Sequence, residues 1–140
     1  MKSIKQTYLI NAPISKVWQA FIDPKIIEQW GGGPAKMDDK EGSEFSLWGG
    51  DIYGTNTRVV KEKLLEQDWY GGKWDAPSKL SFGFTSKGDK TEVRMVHKDV
   101  PGNEAKDIDQ GWKDYYLGPL KELLESPKVR FNLTKFLFLL

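Results

Sequence analysis

The 140-residue sequence contains no cysteine. That absence excludes a disulfide scaffold, thiol catalysis and cysteine-bound zinc, and it fits a reducing compartment. The sequence also lacks any run of roughly 18 apolar residues, the length that a membrane-spanning helix needs. Its first six residues carry charge and are not followed by an apolar run, so we expect no signal peptide. The expected location is therefore the cytoplasm.

The sequence also has almost no net charge. It contains 21 Lys and Arg and 20 Asp and Glu, which gives a formal net charge of +1. A chain so close to neutral has no bulk attraction for polyanions, so neither nucleic acid nor a membrane is expected as a partner. The carboxylates are scattered and show no metal-ligand spacing with the single histidine. We therefore expect no metal and no cofactor.

Aromatic residues, by contrast, are plentiful. Six Trp, five Tyr and seven Phe make up 13% of the chain. Large rigid rings either fill a core or line a cavity. A chain of this length forms one domain that buries roughly 68% of the surface its unfolded state exposes.

Hydrophobic periodicity predicts strands with helices near both ends. Residues 4–10 alternate as a strand does, and apolar spacings of three and four then predict a helix at 14–22. A second short helix begins after Pro24 and ends at the glycines 31–33. Short β-like runs follow at intervals of about ten residues, which predicts an antiparallel meander. These runs are 45–48, 52–60, 64–70, 80–85 and 91–98, with one more around Lys36 and Met37.

The longest helix is predicted from Asp107 to Glu125, with Asp107 or Asp109 as its cap. Pro119 cannot donate to the carbonyl of Tyr115, so we expect a kink there. Residues 1–126 are predicted to form one domain. Residues 127–140 form an apolar tail, which we expect to be an extra strand, a lid or a dimer contact.

Short motifs in these elements match one family by their order and spacing. They are APISKVW at 12–18, EQW at 28–30, Gly42 with Phe45, GGDIYG at 49–54, Trp69, TEV at 91–93, VP at 100–101 with Glu104, and QGWKDYY at 110–116. From about Tyr8 to Glu125 the sequence resembles the START-like helix-grip superfamily (SRPBCC). Within it, the sequence is similar to the domain of activator of heat-shock protein 90 ATPase homologues. The resemblance implies an α+β fold in which a curved antiparallel sheet wraps around the C-terminal helix, with two short helices after the first strand.

The resemblance also implies an apolar space between sheet and helix, and the ring-rich faces of both elements favour the same space. Alternation places Leu80, Phe82 and Phe84 on the same side of the sheet as Val93, Met95 and His97. Rings of the long helix are expected to face them. The alternative is that these rings simply fill the core. The candidate ligand-binding residues are Phe45, Trp69, Phe82, Phe84, Met95, His97, Trp112, Tyr115 and Tyr116.

His97 is the one residue whose ordinary pKa suits acid or base chemistry near neutral pH. A single His with no obvious nucleophile or orienting carboxylate is not a catalytic set. We expect His97 to be structural, and we assign no catalytic residue.

Three functions remain open at this stage. The first is a non-catalytic module, monomeric or homodimeric, that binds a small apolar or aromatic molecule. The second, implied by the resemblance, is a chaperone accessory that stimulates a heat-shock protein 90 type ATPase in the stress response. In the eukaryotic activator this domain follows a separate chaperone-binding domain, which these 140 residues do not contain. The third is a cyclase-like or hydrolase-like enzyme, as in some relatives in the superfamily.

Overall fold

A computed structural model describes residues 1–126 of the chain. Strand β1 is Lys2–Ile10, followed by helices α1 (Ile14–Ile22) and α2 (Pro24–Trp30). The central strands are β2 (Glu44–Leu47), β3 (Ile52–Val60), β4 (Leu64–Gly71), β5 (Ser78–Lys87) and β6 (Lys90–Val100). The chain then turns helical as α3 (Ala105–Gly111), a π-helical segment (Trp112–Tyr116) and α4 (Leu117–Glu125). The predicted order of elements is confirmed.

The six strands form one curved antiparallel sheet in the order β1-β6-β5-β4-β3-β2. Strands β2 to β6 are sequential neighbours, as a meander requires, and β1 closes onto β6. In the β5–β6 pair Phe82 lies opposite Met95 and Phe84 lies opposite Val93. All four side chains are buried, so the predicted shared face is confirmed. The run at Lys36 forms only an isolated bridge to Ser46.

Proline and aspartate set the starts of the two short helices. Pro13 takes the cap position of α1 with an extended backbone and no side-chain cap bond. In α2, the side chain of Asp23 accepts from the amide of Lys25, and Pro24 occupies the first turn, where its missing N–H costs nothing. Gly31 ends α2 with a φ of 105°, a left-handed conformation that glycine adopts without a steric penalty.

The C-terminal helical run departs from its prediction at two points. It begins at Ala105, with Glu104 at the cap position, so the caps predicted at Asp107 and Asp109 are wrong. Both acids lie inside the helix. The irregularity expected from Pro119 takes the form of the π-helical segment, in which the amide of Leu117 donates to the carbonyl of Trp112. The helix widens by one residue before the proline, and α4 follows from Leu117 with Pro119 in its first turn.

A buried polar cluster links the loop before β2 to strands β3 and β4. The side-chain amide of Gln67 donates to the side-chain oxygen of Asn56 at 2.8 Å. Asn56 in turn donates to the carbonyl of Asp38 at 3.1 Å. Asn56 is fully buried, whereas Arg58 in the same strand is exposed. Because their polar groups pair with one another, Asn56 and Gln67 are buried at little cost.

The predicted tail at 127–140 lies outside the described residues. No helix within the described part is long and apolar enough to cross a bilayer.

Two helical glycines give a matched test of the π-helical segment. A Cβ added at Gly118 would lie 2.0 Å from the carbonyl oxygen of Lys113, whereas one added at Gly111 meets nothing closer than 4.0 Å. We expect Gly118→Ala to destabilise the fold by about 1–3 kcal/mol, because the backbone itself must move. Gly111→Ala should be neutral or should stabilise by about 0.4–1 kcal/mol. Urea unfolding measures both, and equal stabilities would contradict the described segment.

Candidate functional site

The π-helical segment brings two rings onto the concave face of the sheet. Trp112 and Tyr116 are almost completely buried, and their ring centroids lie 4.7 Å apart. Trp112 contacts Phe82 at 5.7 Å, and Tyr116 contacts the same ring at 5.7 Å. The helix and the sheet therefore meet along a seam of aromatic rings, as the sequence predicts.

Helix α1 fills much of the space that the sequence assigned to a cavity. The ring of Phe21 lies 4.8 Å from Phe82 and 5.0 Å from Phe84. Trp18 adds an edge-on contact to Phe84 at 5.2 Å. The apolar stripe of α1 packs between the sheet and the C-terminal helices, so this part of the seam is solid.

An open cleft of about 460 Å³ lies at one end of the seam, between the C-terminal helical run and the β2–β4 side of the sheet. Its volume falls within the usual range for small-molecule sites, roughly 300–1,000 Å³. A second depression of about 380 Å³ continues from it, sharing Ile52, Trp69 and Ile108. The residues that line the cleft are Trp48, Asp51, Ile52, Trp69, Asp107, Ile108, Gly111, Trp112, Tyr115 and Tyr116.

Four of the nine predicted site residues line this cleft: Trp69, Trp112, Tyr115 and Tyr116. Tyr115 does not face the sheet as expected, since it is 67% exposed and stands at the mouth. Neighbouring residues on a helix point in different directions, so the inward position of Tyr116 turns Tyr115 outward.

The other five predicted residues lie elsewhere. Phe45 borders a separate depression beside Tyr53 and Tyr70. The remaining four belong to the buried interior and are not among the cleft residues: Phe82, Phe84, Met95 and His97. Their places in the strands were predicted correctly, but the sequence could not show that α1 would cover them.

Trp48 is the main cleft residue that the sequence analysis missed. It follows β2 in a 3₁₀ turn with a φ of 48°, a left-handed conformation that a bulky residue rarely adopts. Two hydrogen bonds hold it there: its indole N–H donates to the carbonyl of Gly31, and its backbone amide donates to that of Gly32, both at 2.8 Å. The only signal was its position before two glycines, which also suits an ordinary hairpin turn.

His97 is fully buried behind the cleft wall, with both ring nitrogens hydrogen-bonded. The indole N–H of Trp112 points to Nδ1 at 3.1 Å, and the Ser78 hydroxyl lies 2.7 Å from Nε2. Tryptophan can only donate, so Nδ1 is the acceptor and the proton of the neutral ring sits on Nε2. Burial lowers the pKa of His97 to about 4.

Ser78 and His97 resemble a nucleophile and its base by distance alone. The Ser78 hydroxyl donates to the carbonyl of Trp69 at 2.7 Å, so it accepts the Nε2 proton. A general base would need Nε2 free of its proton, with an acceptor orienting Nδ1. The arrangement is reversed here, and Ser78 is fully buried. The chain of hydrogen bonds therefore fixes Trp112 and Trp69, which line the cleft.

Two rings of the cleft carry polar atoms without a partner. The buried side-chain atoms with no hydrogen-bond partner among residues 1–126 are Trp18 Nε1, Trp69 Nε1 and Tyr116 Oη. Burial raises the pKa of Tyr116 above its ordinary value, so the hydroxyl stays protonated. Each such atom costs about 1–3 kcal/mol when it has no partner.

A family model described as Activator of Hsp90 ATPase homolog 1-like protein matches residues 11–125. The chain belongs to this family. An uncharacterized protein of Schizosaccharomyces pombe is 28% identical to this chain over 120 residues. The match covers 84% of this chain and 36% of the Schizosaccharomyces pombe protein. The human activator of 90 kDa heat shock protein ATPase homolog 1 is 24% identical over 86% of the chain and 36% of its own length. The chain thus spans about a third of the curated relatives it matches.

Among solved structures, an HSP90 activator from Plasmodium falciparum superposes with a TM-score of 0.82 at 24% identity. The match covers 89% of this chain and 96% of that one. At this level of identity the likeness establishes the fold, an Aha1-like helix grip.

The neutral state of His97 has a measurable consequence. Between the ordinary pKa near 6.5 and the folded value of about 4, the unfolded chain binds the proton and the folded one does not. The contribution of neutral His97 to the free energy of unfolding is therefore fully present above pH 6.5. It is lost as the pH falls, and the loss reaches about 3 kcal/mol at pH 4. We expect urea unfolding of the wild type to show a steeper loss across this window than that of His97→Gln, whose amide does not titrate.

Carboxylates that titrate in the same window are common to both proteins and cancel in the comparison. Because the chain has a single histidine, its ring resonances can be followed by NMR without ambiguity. A ring that titrates near pH 6.5 in the folded protein would contradict this assignment.

Proposed function

We propose that this family member is a non-catalytic binding domain that holds a small apolar or aromatic molecule in the cleft. The observation that carries the proposal is the lining itself: five rings, from Trp48, Trp69, Trp112, Tyr115 and Tyr116, surround one concave space of about 460 Å³. Monomeric proteins seldom leave apolar surface of this kind open unless it binds something.

Gly111 supports the same proposal. It has ordinary helical dihedrals, and a Cβ would fit there without a close contact. Glycine at such a position costs roughly 0.8–1.0 kcal/mol relative to alanine. Gly111 lines the cleft, and a larger side chain at this position would enter it. The stability lost by having glycine here is therefore explained if the cleft must stay open for a ligand.

The unpartnered polar atoms of Trp69 and Tyr116 are a third support. Ligand sites combine an apolar lining with a few polar groups that orient the bound molecule. The indole N–H of Trp69 and the phenol of Tyr116 belong to rings that line the cleft, and they supply one donor and one group that donates or accepts. Both atoms are buried, so a ligand would reach either of them only after its ring had moved.

The state of His97, the single histidine of the chain, supports a non-catalytic role. His97 is neutral, buried and engaged at both nitrogens, so it is unsuited to moving a proton for a bound molecule. Within residues 1–126 no group of three His, Cys, Asp or Glu side chains is placed to hold a metal ion.

A ligand screen with paired variants tests the cleft. Small aromatic compounds that raise the melting temperature of the wild type should also change Trp fluorescence, because three of the six tryptophans line the cleft. Gly111→Phe fills the cleft and should weaken binding at least tenfold, on the order of 1.4 kcal/mol. Lys106→Phe adds the same ring to α3 outside the cleft and should bind normally. Hits that bind Gly111→Phe as well as the wild type would place the site elsewhere.

The second candidate is a role with a heat-shock protein 90 type ATPase. It is favoured by the family match and by the Plasmodium activator, of whose own chain 96% is matched. The test is the ATPase rate of a purified Hsp90-type chaperone with and without this protein. Stimulation that Gly111→Phe leaves intact would assign that role to a surface other than the cleft.

A further inference from the structure

The cleft carries charge of one sign only. Its lining includes the carboxylates of Asp51 and Asp107, and it includes no Lys, Arg or His. Both acids are exposed, Asp51 after the Trp48 turn and Asp107 in α3. The chain as a whole is nearly neutral at +1, so this acidic rim does not simply reflect an acidic protein.

Neither rim carboxylate is used by the fold. Within residues 1–126 the side chains of Asp51 and Asp107 take part in no hydrogen bond and no ion pair. The acids that do so lie outside the cleft: Asp23, Asp38, Glu41, Glu66, Asp68, Glu92, Glu104, Asp109, Asp114 and Glu125. Asp107 suits the first turn of its helix, where negative charge is favourable, but this explanation does not extend to Asp51.

Aromatic rings and carboxylates together recognise one class of ligand. The face of a Trp or Tyr ring is electron-rich and attracts a cation placed over it, and desolvation in a pocket strengthens the attraction. Five such rings line the cleft with the two free carboxylates at its rim. An anion would meet repulsion there without any compensating basic residue.

The adjoining depression differs from the cleft because its lining includes a basic residue. It contains Lys73 and Glu104, and the carboxylate of Glu104 accepts from the indole N–H of Trp74 at 2.9 Å. Lys73 borders this second depression and is not among the residues that line the cleft.

We propose that the cleft selects a small organic cation, an ammonium or related group attached to an apolar or aromatic body. This inference rests on the proposed function and names the charge of its ligand. The aromatic body occupies the space between Trp69, Trp112 and Tyr116, and the cationic group lies near Asp51 and Asp107.

Three indoles that differ in charge test the proposal. Tryptamine is a cation at neutral pH, tryptophol is neutral, and indole-3-acetate is an anion. We expect calorimetry at low salt to give tryptamine an affinity about tenfold higher than that of indole-3-acetate, with tryptophol between them. Added salt should narrow the difference, because it screens the exposed carboxylates.

Charge variants identify the groups responsible. The double variant Asp51→Asn/Asp107→Asn should bring the three affinities within about threefold, while the affinity for tryptophol stays unchanged. Asp89→Asn, in the exposed β5–β6 turn, removes the same charge far from the cleft and should leave the order intact. A tryptamine advantage that survives the double variant would overturn the assignment.

The outcomes separate this inference from the proposed function. If tryptamine fails to bind at millimolar concentration, or binds no better than indole-3-acetate, the cation proposal is wrong. The cleft proposal fails separately, when no compound in the screen loses affinity on Gly111→Phe.

Discussion

The packing of Trp112 and Tyr116 against the concave face of the sheet holds the domain together at the end where the cleft lies. These rings touch each other, the sheet at Phe82, and α2 through Trp30, whose ring lies 4.6 Å from Tyr116. Aromatic pairs of this geometry contribute about 0.5–1.5 kcal/mol each beyond the area they bury. Because the C-terminal helices, α2 and the sheet all meet there, the same contacts set the shape of the cleft.

Two features hold those rings in place. The π-helical segment widens the helix between Trp112 and Leu117. The carbonyl of Lys113 comes so close to Gly118 that a Cβ would not fit there. The hydrogen bonds from Trp112 through His97 and Ser78 to the Trp69 carbonyl fix the indole from behind. Polar groups in the interior are thus used to position the walls of the cleft, and a neutral histidine suits that use better than a charged one.

The cleft differs from the cavity that the family resemblance suggests. Helix α1 inserts Phe21 and Trp18 against the sheet, so the middle of the seam has the dense packing of a core. What remains open lies at one end, where a left-handed Trp48 and the glycine at 111 leave room. Its lining combines aromatic rings with two carboxylates and includes no Lys, Arg or His.

The sequence by itself determined the strands, the two short helices, the shared face of Phe82 and Met95, and the position of the helical irregularity to within a few residues. These features follow from local periodicity and from the backbone limits of proline and glycine. Only the tertiary structure decided that α1 would cover Phe84 and that Tyr115 would point outward. Only it placed Asp51 and Asp107 in the lining of one cleft, because residues 56 positions apart in the chain are brought together by the tertiary fold and have no local pattern that links them.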